Sequence, residues 1–278
     1  MGAKLRATVW KGLVRKLPSL TLTRRTFHGK MSFSNEDRVI GYALFVYGAF
    51  EYNKILSTLS VLRSLGVLTH ERKMLLDVGA NIGTVCIPAL TSGAFGSALA
   101  FEPDPQNVAY LRRNIAQNGL ERRVGVLDVA LSSYNGEITL VRSGFNHGDH
   151  RVTTGPASGT KTELRVSARR LDDLLEERRV RHEDVGLLWM DVQGHEPWVL
   201  EGASRLVASG CPVLAEFAPF LLRAANRRVD EVVASMQDAF ASFFDMAEED
   251  PMRRDVSELT AVARRYDESG FTDLLLLR

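Results

Sequence analysis

The feature that most constrains this chain is the alternation of short apolar segments with helical segments after residue 72. Seven segments read as strands: Met74–Val78, Ser97–Phe101, Val124–Val129, Val185–Met190, Pro212–Phe217, Ser242–Met246 and Thr272–Leu277. Helices are predicted at Gln106–Asn118, Leu171–Glu177, Pro197–Ala208 and near Leu221–Ala239, and Glu137–Val141 predicts an added strand. This order predicts a doubly wound α/β fold, in which right-handed crossovers place helices on both faces of a mostly parallel sheet.

The segment before this alternation differs in composition. Residues 36–66 have helical periodicity, because Val39, Ala43, Val46 and Phe50 recur at three- and four-residue spacing. The first 35 residues contain eight basic side chains, and Glu36 is the first acid. A transit-like peptide, a membrane-surface helix with weak membrane contact, and a basic helix packed on the main domain all stay open as interpretations. We therefore divide the chain into a basic and helical lead-in, residues 1–70, and a catalytic domain, residues 71–278.

Composition excludes several classes of protein. Lys and Arg total 35 and Asp and Glu total 34, so the chain lacks the basic excess typical of nucleic-acid binders. Cys86 and Cys211 lie in apolar segments, without the Cys/His spacing of a metal site. No apolar segment approaches the roughly 20 residues of a membrane span. We expect a cytoplasmic protein without a structural metal, and leave homodimerisation open.

The turn after the first strand has the composition of a ligand loop. It reads Asp77-Val78-Gly79-Ala80-Asn81-Ile82-Gly83. Gly79 and the small residues let backbone approach a ligand, and Gly83 is expected to open a helix whose N-terminal amides favour an electron-rich group. Asp77 suits a cationic group and repels a pyrophosphate, and the G-x-G-x-x-G of dinucleotide enzymes is absent. Alone, this segment is equally consistent with a tight turn that binds nothing.

Two further carboxylates follow the next strands. Glu102, in Phe101-Glu102-Pro103, comes 25 residues after Asp77, where a carboxylate can accept hydrogen bonds from both hydroxyls of a ribose. Asp128 follows the third strand and is a candidate for the adenine amino group, although a solvated turn acid is nearly as consistent with the sequence.

The later strands also end in polar residues. Asp191 follows the fourth strand and is a candidate to bind an amino group of a nucleoside ligand or a second substrate. His195 is a candidate base because histidine titrates near neutral pH. A histidine that caps the next helix is the structural alternative. Glu216 ends the fifth strand. Residues 143–151 contain two histidines, including His150, and are predicted to form an acceptor-binding loop, with a divalent-metal site and a mobile surface loop as the alternatives.

Five segments together resemble the FkbM family of methyltransferases. They are VIGYALFVYGAFE (39–51), LLDVGANIG (75–83), AFEPDPQNVAYLRRNIAQNGL (100–120), VALSSYNGEITL (129–140) and MDVQGHEPWVLEGA (190–203). The resemblance implies a Rossmann-like class I methyltransferase sheet of seven strands with an antiparallel last hairpin, after an N-terminal helical extension. It implies S-adenosylmethionine as the donor and a hydroxyl as the acceptor.

The resemblance also assigns site residues. It places Asp77, Gly79, Asn81 and Gly83 around the methionine part of the cofactor, Glu102 at the ribose, and Asp191 at the acid of the D-x-E-G motif. This chain departs from that motif, because Gln193 stands where the family has glutamate.

These observations predict O-methylation of a small molecule, sugar or natural product, with His195, His150 and Asp191 as candidate bases in no fixed order. A non-catalytic S-adenosylmethionine-binding or scaffold protein is the main alternative, and a nicotinamide-dependent dehydrogenase is a weaker one.

Overall fold

A computed structural model describes residues 2–16, 19–69, 73–153 and 162–278. The helices are α1 (Ala3–Lys16), α2 (Ile40–Val46), α3 (Tyr52–Ser64), α4 (Cys86–Thr91), α5 (Pro105–Gln117), α6 (Leu171–Glu177), α7 (Glu196–Gly202), α8 (Ser204–Ala208), α9 (Pro219–Ala224), α10 (Val229–Ala239) and α11 (Leu259–Arg265). The strands are β1 (Thr21–Thr26), β2 (Gly29–Ser34), β3 (Met74–Val78), β4 (Ser97–Phe101), β5 (Val124–Leu127), β6 (Ala130–Leu131), β7 (Gly136–Arg142), β8 (Arg151–Thr153), β9 (Thr162–Arg169), β10 (Val185–Met190), β11 (Val213–Phe217), β12 (Ser242–Asp245), β13 (Arg254–Asp255) and β14 (Thr272–Leu277).

The central sheet has the predicted doubly wound topology. Its strand order is β13-β12-β14-β11-β10-β3-β4-β5, and the five strands from β11 to β5 are parallel. Strand β14 runs antiparallel to both β11 and β12, as the family resemblance implied. The seven predicted strands are present, and the eighth is the two-residue edge strand β13. Every residue of β10 and β11 is buried, which is typical of parallel strands covered by helices on both faces.

A second, four-stranded sheet stands beside the carboxyl ends of the central strands. Its order is β6-β9-β7-β8, and the antiparallel β7–β9 pair runs through seven registered residue pairs. The sequence predicted the strand at Glu137–Val141 but missed its partners. The predicted strand Val124–Val129 ends at Leu127, since the chain turns there and re-enters this second sheet at Ala130.

The lead-in contains a hairpin that periodicity did not reveal. Strands β1 and β2 pair antiparallel, and the side chain of Asn114 on α5 hydrogen-bonds both the N–H (2.7 Å) and the C=O (3.0 Å) of Ser32. On α1, Trp10 is buried against Phe33 and Phe45, and Arg6 donates to the carbonyl of Val46 at 2.7 Å. The first part of the basic segment is therefore a helix that packs on β2 and α2 of the lead-in itself.

Two predicted helices are each divided in two. The helix predicted at Pro197–Ala208 breaks at Ala203, where Gly202 approaches Ser132 so closely that a Cβ would lie 2.1 Å from its carbonyl oxygen. The helix predicted near Leu221–Ala239 breaks at Asn226, whose φ of 60° is left-handed. In the described part of the chain, no helix has the length and apolar character required to cross a bilayer.

Candidate active site

In the turn after β3, the backbone of Gly79 lies directly against the backbone of Asp191. Gly79 has φ +78°, and a Cβ there would lie 2.1 Å from the carbonyl oxygen of Asp191. Helix α4 begins at Cys86, not at Gly83 as predicted, because residues 81–85 first form a turn. The N–H of Cys86 donates to Asp77 Oδ2 at 3.0 Å, so the protein's own carboxylate occupies this helix end. Burial raises the pKa of Asp77 to about 7.

Glu102 lies at the end of β4 and is held by two backbone groups. The N–H of Asn81 donates to Oε2 at 2.9 Å, and the N–H of Asp104 donates to Oε1 at 2.8 Å. The side chain is 5% exposed, and burial raises its pKa to about 7. Each carboxylate oxygen keeps a second lone pair, so the fixed carboxylate can accept two hydrogen bonds from a diol.

Asn81 links this turn to the loop of residues 143–151. Its Nδ2 donates to the carbonyl of His147 at 2.9 Å, and Asn107 donates to the same carbonyl at 3.0 Å. The Oδ1 of Asn81 is buried and has no hydrogen-bond partner. Since a buried amide oxygen without a donor is costly, this atom is suited to accept from a ligand.

The loop after β10 connects two carboxylates. Gln193 has a left-handed φ of 55°, and its Nε2 donates to Asp191 Oδ1 at 2.8 Å and to Glu216 Oε2 at 3.1 Å. Burial is the largest cause that raises the pKa of both acids, that of Glu216 to about 10. Glutamate at position 193, as in the family motif, would place a third carboxylate in contact with these two.

Two pockets open at this edge of the sheet. The narrower one, about 550 Å³, has Glu102 and Asn107 on one side and apolar residues of the second sheet on the other. Those apolar residues are Ala130, Leu131, Leu140 and Val152.

The wider pocket, about 1120 Å³, lies between the strand ends and the lead-in. Its wall contains the aromatic residues Phe50, Trp189, Phe220 and Phe271 and the acids Glu51, Asp77, Asp191 and Glu216. The two pockets share Gly79, Asn81, Gly148, Asp191 and Gln193. These five residues form the junction of the pockets.

The two candidate histidines line only the narrower pocket. His195 is stacked on Trp198 (4.7 Å between centroids), and its Nε2 lies 3.1 Å from Ser132 Oγ. Its position is the N-cap of α7, but the side chain makes no capping hydrogen bond. His150 accepts from the N–H of Ser143 at 3.2 Å. Burial lowers the pKa of each imidazole to about 4, so both are neutral and weakly basic at neutral pH.

Two other expectations have simple structural outcomes. Asp128 is half exposed and forms a surface ion pair with Arg112 (2.7 Å), outside the residues that line either pocket. Within residues 2–16, 19–69, 73–153 and 162–278, no cluster of three or more His, Cys, Asp or Glu side chains is arranged to hold a metal ion.

The sequence did not reveal what the lead-in contributes to the site. Val39, Ile40, Phe50, Glu51 and Ile55 line the wider pocket. Glu51 has a left-handed φ of 51°, which is uncommon for a residue other than glycine. The apolar periodicity of residues 39–62 predicted a helix with one buried face. Periodicity does not reveal whether such a face packs against protein or lines a ligand pocket.

The mostly parallel sheet with its antiparallel strand β14 has the architecture of a class I methyltransferase. Residues 77–240 match the methyltransferase FkbM domain, and the chain belongs to the FkbM family of methyltransferases. This membership argues against the dehydrogenase and the non-catalytic alternatives.

The chain is also similar to individual methyltransferases. The chain is 29% identical to the 2-O-methyltransferase NoeI of Sinorhizobium fredii over 179 residues, which cover 58% of this chain and 70% of NoeI. Among solved structures, the methyltransferase FkbM of Methylobacillus flagellatus is 13% identical with a TM-score of 0.42, and the match covers all of this chain but 60% of that protein. An rRNA methylase of Streptococcus thermophilus is 11% identical with a TM-score of 0.41, over 83% of this chain and all of that one.

Proposed function

We propose that the protein transfers a methyl group from S-adenosylmethionine to a hydroxyl group of a small molecule. The observation that carries this proposal is the junction at which the narrower and wider pockets meet. A donor in one pocket and an acceptor in the other would both contact these five shared residues. Family membership and the O-methyltransferase NoeI support the same reaction.

The narrower pocket fits the cofactor. The Glu102 carboxylate suits a ribose diol, and the apolar residues of the second sheet suit a flat base. The free Oδ1 of Asn81 suits an ammonium group, and the close approach at Gly79 leaves room that a side chain would fill. When bound, S-adenosylmethionine supplies an electrophilic methyl group.

The acceptor fits the wider pocket, and its hydroxyl then lies near the junction. Positioning the two reactants together contributes roughly 7–11 kcal/mol to lowering the barrier. An alcohol is a weak nucleophile, so a base that removes its proton adds about 10²–10⁴-fold.

Among the three candidate bases, we assign this role to Asp191. It lines both pockets, whereas His195 and His150 line only the narrower one. The Gln193 amide fixes the orientation of the Asp191 carboxylate, and burial raises its pKa, which makes it a stronger base than an exposed aspartate. His195 and His150 then act as packing groups that shape the narrower pocket and the loop of residues 143–151.

Calorimetric titration of the purified protein with S-adenosylhomocysteine tests the cofactor assignment, with NAD as the control ligand. We expect binding at micromolar or lower concentration and none with NAD. Absence of S-adenosylhomocysteine binding would overturn the proposal. The division of the chain into residues 1–70 and 71–278, homodimerisation and membrane contact through the basic segment stay predictions.

A further inference from the structure

Asp191 and Glu216 form a pair of carboxylates without a cation. The Gln193 amide bridges them, and no Lys, Arg or His of the described residues lies within 4.0 Å of either carboxylate. Glu216 is 9% exposed. Two acids bridged this closely are costly to ionise together, and the pKa of Glu216 is raised to about 10, so Glu216 keeps its proton in the unliganded protein. A cation that binds beside Glu216 replaces this proton and lets both carboxylates ionise.

The nearby lysine, Lys54, forms ion pairs with two other carboxylates. Lys54 Nζ lies 2.6 Å from Glu51 Oε2 and 2.9 Å from Asp273 Oδ2. Its charge acts on Asp191 and Glu216 only at longer range, whereas Asp191, Glu196 and Asp273 all repel a charge on Glu216. Carboxylates therefore outnumber cations around Glu216, and the oxygen Oδ1 of Asp273 is also buried without a hydrogen-bond partner.

The position of Glu216 indicates which of the two ligands, the donor or the acceptor, would carry a cation to it. Asp191 lines both pockets, but Glu216 lines the wider pocket alone. A ligand of the narrower pocket reaches Asp191 at the junction and not Glu216. Asn81, which is 8% exposed and has a free Oδ1, stands at the same junction, so this edge is built for donors from a ligand.

We propose, on the basis of the function proposed above, that the methyl acceptor is a hydroxyl compound with a protonated amine, and that the amine binds Glu216 while the hydroxyl faces Asp191. The amine serves recognition only. While it is protonated and ion-paired it has no lone pair, so the neighbouring hydroxyl is the group that would attack the methyl carbon. The carbon–sulfur bond of the donor would break, S-adenosylhomocysteine would leave, and the hydroxyl proton would pass to Asp191. Phosphorylated and carboxylated acceptors are excluded by the same carboxylates.

The experiment compares three probes of the same ring size: 2-amino-2-deoxyglucose, glucose and glucuronate. Each is titrated into the full-length protein saturated with S-adenosylhomocysteine, at pH 7.5 and low salt. We expect the amine probe to bind at least about tenfold more tightly than glucose, because the ammonium group displaces the proton of Glu216 and forms an ion pair, which is worth more than a neutral hydrogen bond. Glucuronate is expected to bind most weakly.

Glu216→Gln keeps the shape of the side chain and the contact with Gln193, and it should reduce the preference for the amine to less than about threefold. Glu249→Gln, at an exposed acid far along the chain, is the matched control and should retain the full preference. Equal or tighter binding of glucose or glucuronate, no binding of the amine probe, or a preference that survives Glu216→Gln overturns the inference. If the Glu216→Gln variant does not fold, the comparison of the three probes in the unmodified protein is sufficient to test the inference. Failure of S-adenosylhomocysteine to bind would instead overturn the proposed function, and the two failures are thereby distinct.

Discussion

The ammonium group of Lys54 lies 2.9 Å from the carboxylate of Asp273, and this contact joins helix α3 of the lead-in to the last strand, β14. Both side chains are buried, with exposed fractions of 13% and 9%. Lys54→Met leaves two carboxylates without their cation, and we expect the free energy of unfolding to fall by about 3–5 kcal/mol. Denaturant unfolding at pH 7 measures this change.

The double variant Lys54→Met/Asp273→Asn is the control for that change. It removes one of the stranded charges, so it should recover part of the stability lost in Lys54→Met. A single-variant loss below about 1 kcal/mol, the value typical of surface ion pairs, would contradict the buried role of this contact.

The close approach at Gly79 predicts that no side chain is tolerated there. Gly79→Ala places a Cβ 2.1 Å from the carbonyl oxygen of Asp191 and also has to adopt a φ of +78°. We expect binding of S-adenosylhomocysteine to be lost, and unfolding free energy to fall by more than the roughly 1 kcal/mol of a simple glycine effect. Gly93→Ala also has a positive φ but meets no atom within 4 Å, and it serves as the matched control.

Glu102 is expected to contribute to cofactor binding through its charge. Glu102→Gln retains one carbonyl acceptor for the backbone N–H groups of Asn81 and Asp104, but it loses the second. Affinity for S-adenosylhomocysteine should fall by about tenfold or more, the loss expected for a charged hydrogen bond. The Asp128→Asn variant should bind normally, because Asp128 lies on the surface with Arg112. Unchanged affinity in Glu102→Gln would refute the ribose assignment.

The assignment of Asp191 as the base predicts unequal effects among the three candidates. Asp191→Asn keeps an oxygen for the Gln193 amide and should lower kcat by about 10²–10⁴-fold. His195→Gln and His150→Gln should lower kcat by only a few-fold, with any larger effect in cofactor affinity. Turnover at saturating cofactor measures all three. A large kcat loss in either histidine variant with near-normal turnover in Asp191→Asn would reverse the assignment.

Glu216 predicts a pH dependence of stability. Its pKa is raised from 4.5 to about 10, first by burial and then by the neighbouring acids. The folded state therefore keeps a proton that the unfolded state releases, and stability is lost as the pH rises through this interval. Glu216→Gln does not titrate, so its stability should fall less steeply, by up to about 1.4 kcal/mol per pH unit. Thermal unfolding between pH 5 and pH 9 measures both slopes, and equal slopes would show that Glu216 ionises normally.

The central sheet could be predicted because its strands are buried on both faces and stand out as apolar segments between turns. The sequence also predicted that Gly79, Asn81 and Glu102 lie together at this edge of the sheet, since ligand-binding loops follow the carboxyl ends of such strands. The hairpin of β1 and β2 was missed because Thr21–Thr26 alternates between exposed and partly buried residues and contains Leu22 as its one apolar side chain. The bridge from Gln193 to Glu216 was missed because it joins residues on two different strand ends, and their spacing along the chain does not reveal it.

The walls of the two pockets come from different parts of the chain. The junction residues and the wall of the narrower pocket lie within residues 77–240 or immediately beside β3, whereas Glu51, Phe50, Ile40 and Phe271 of the wider pocket lie outside that stretch. We therefore expect substitutions in the lead-in and in the last loop to alter the choice of acceptor and to leave the proposed donor site intact. We expect that exchange of the segments that flank residues 77–240 can introduce a new acceptor while the proposed donor site is left unchanged.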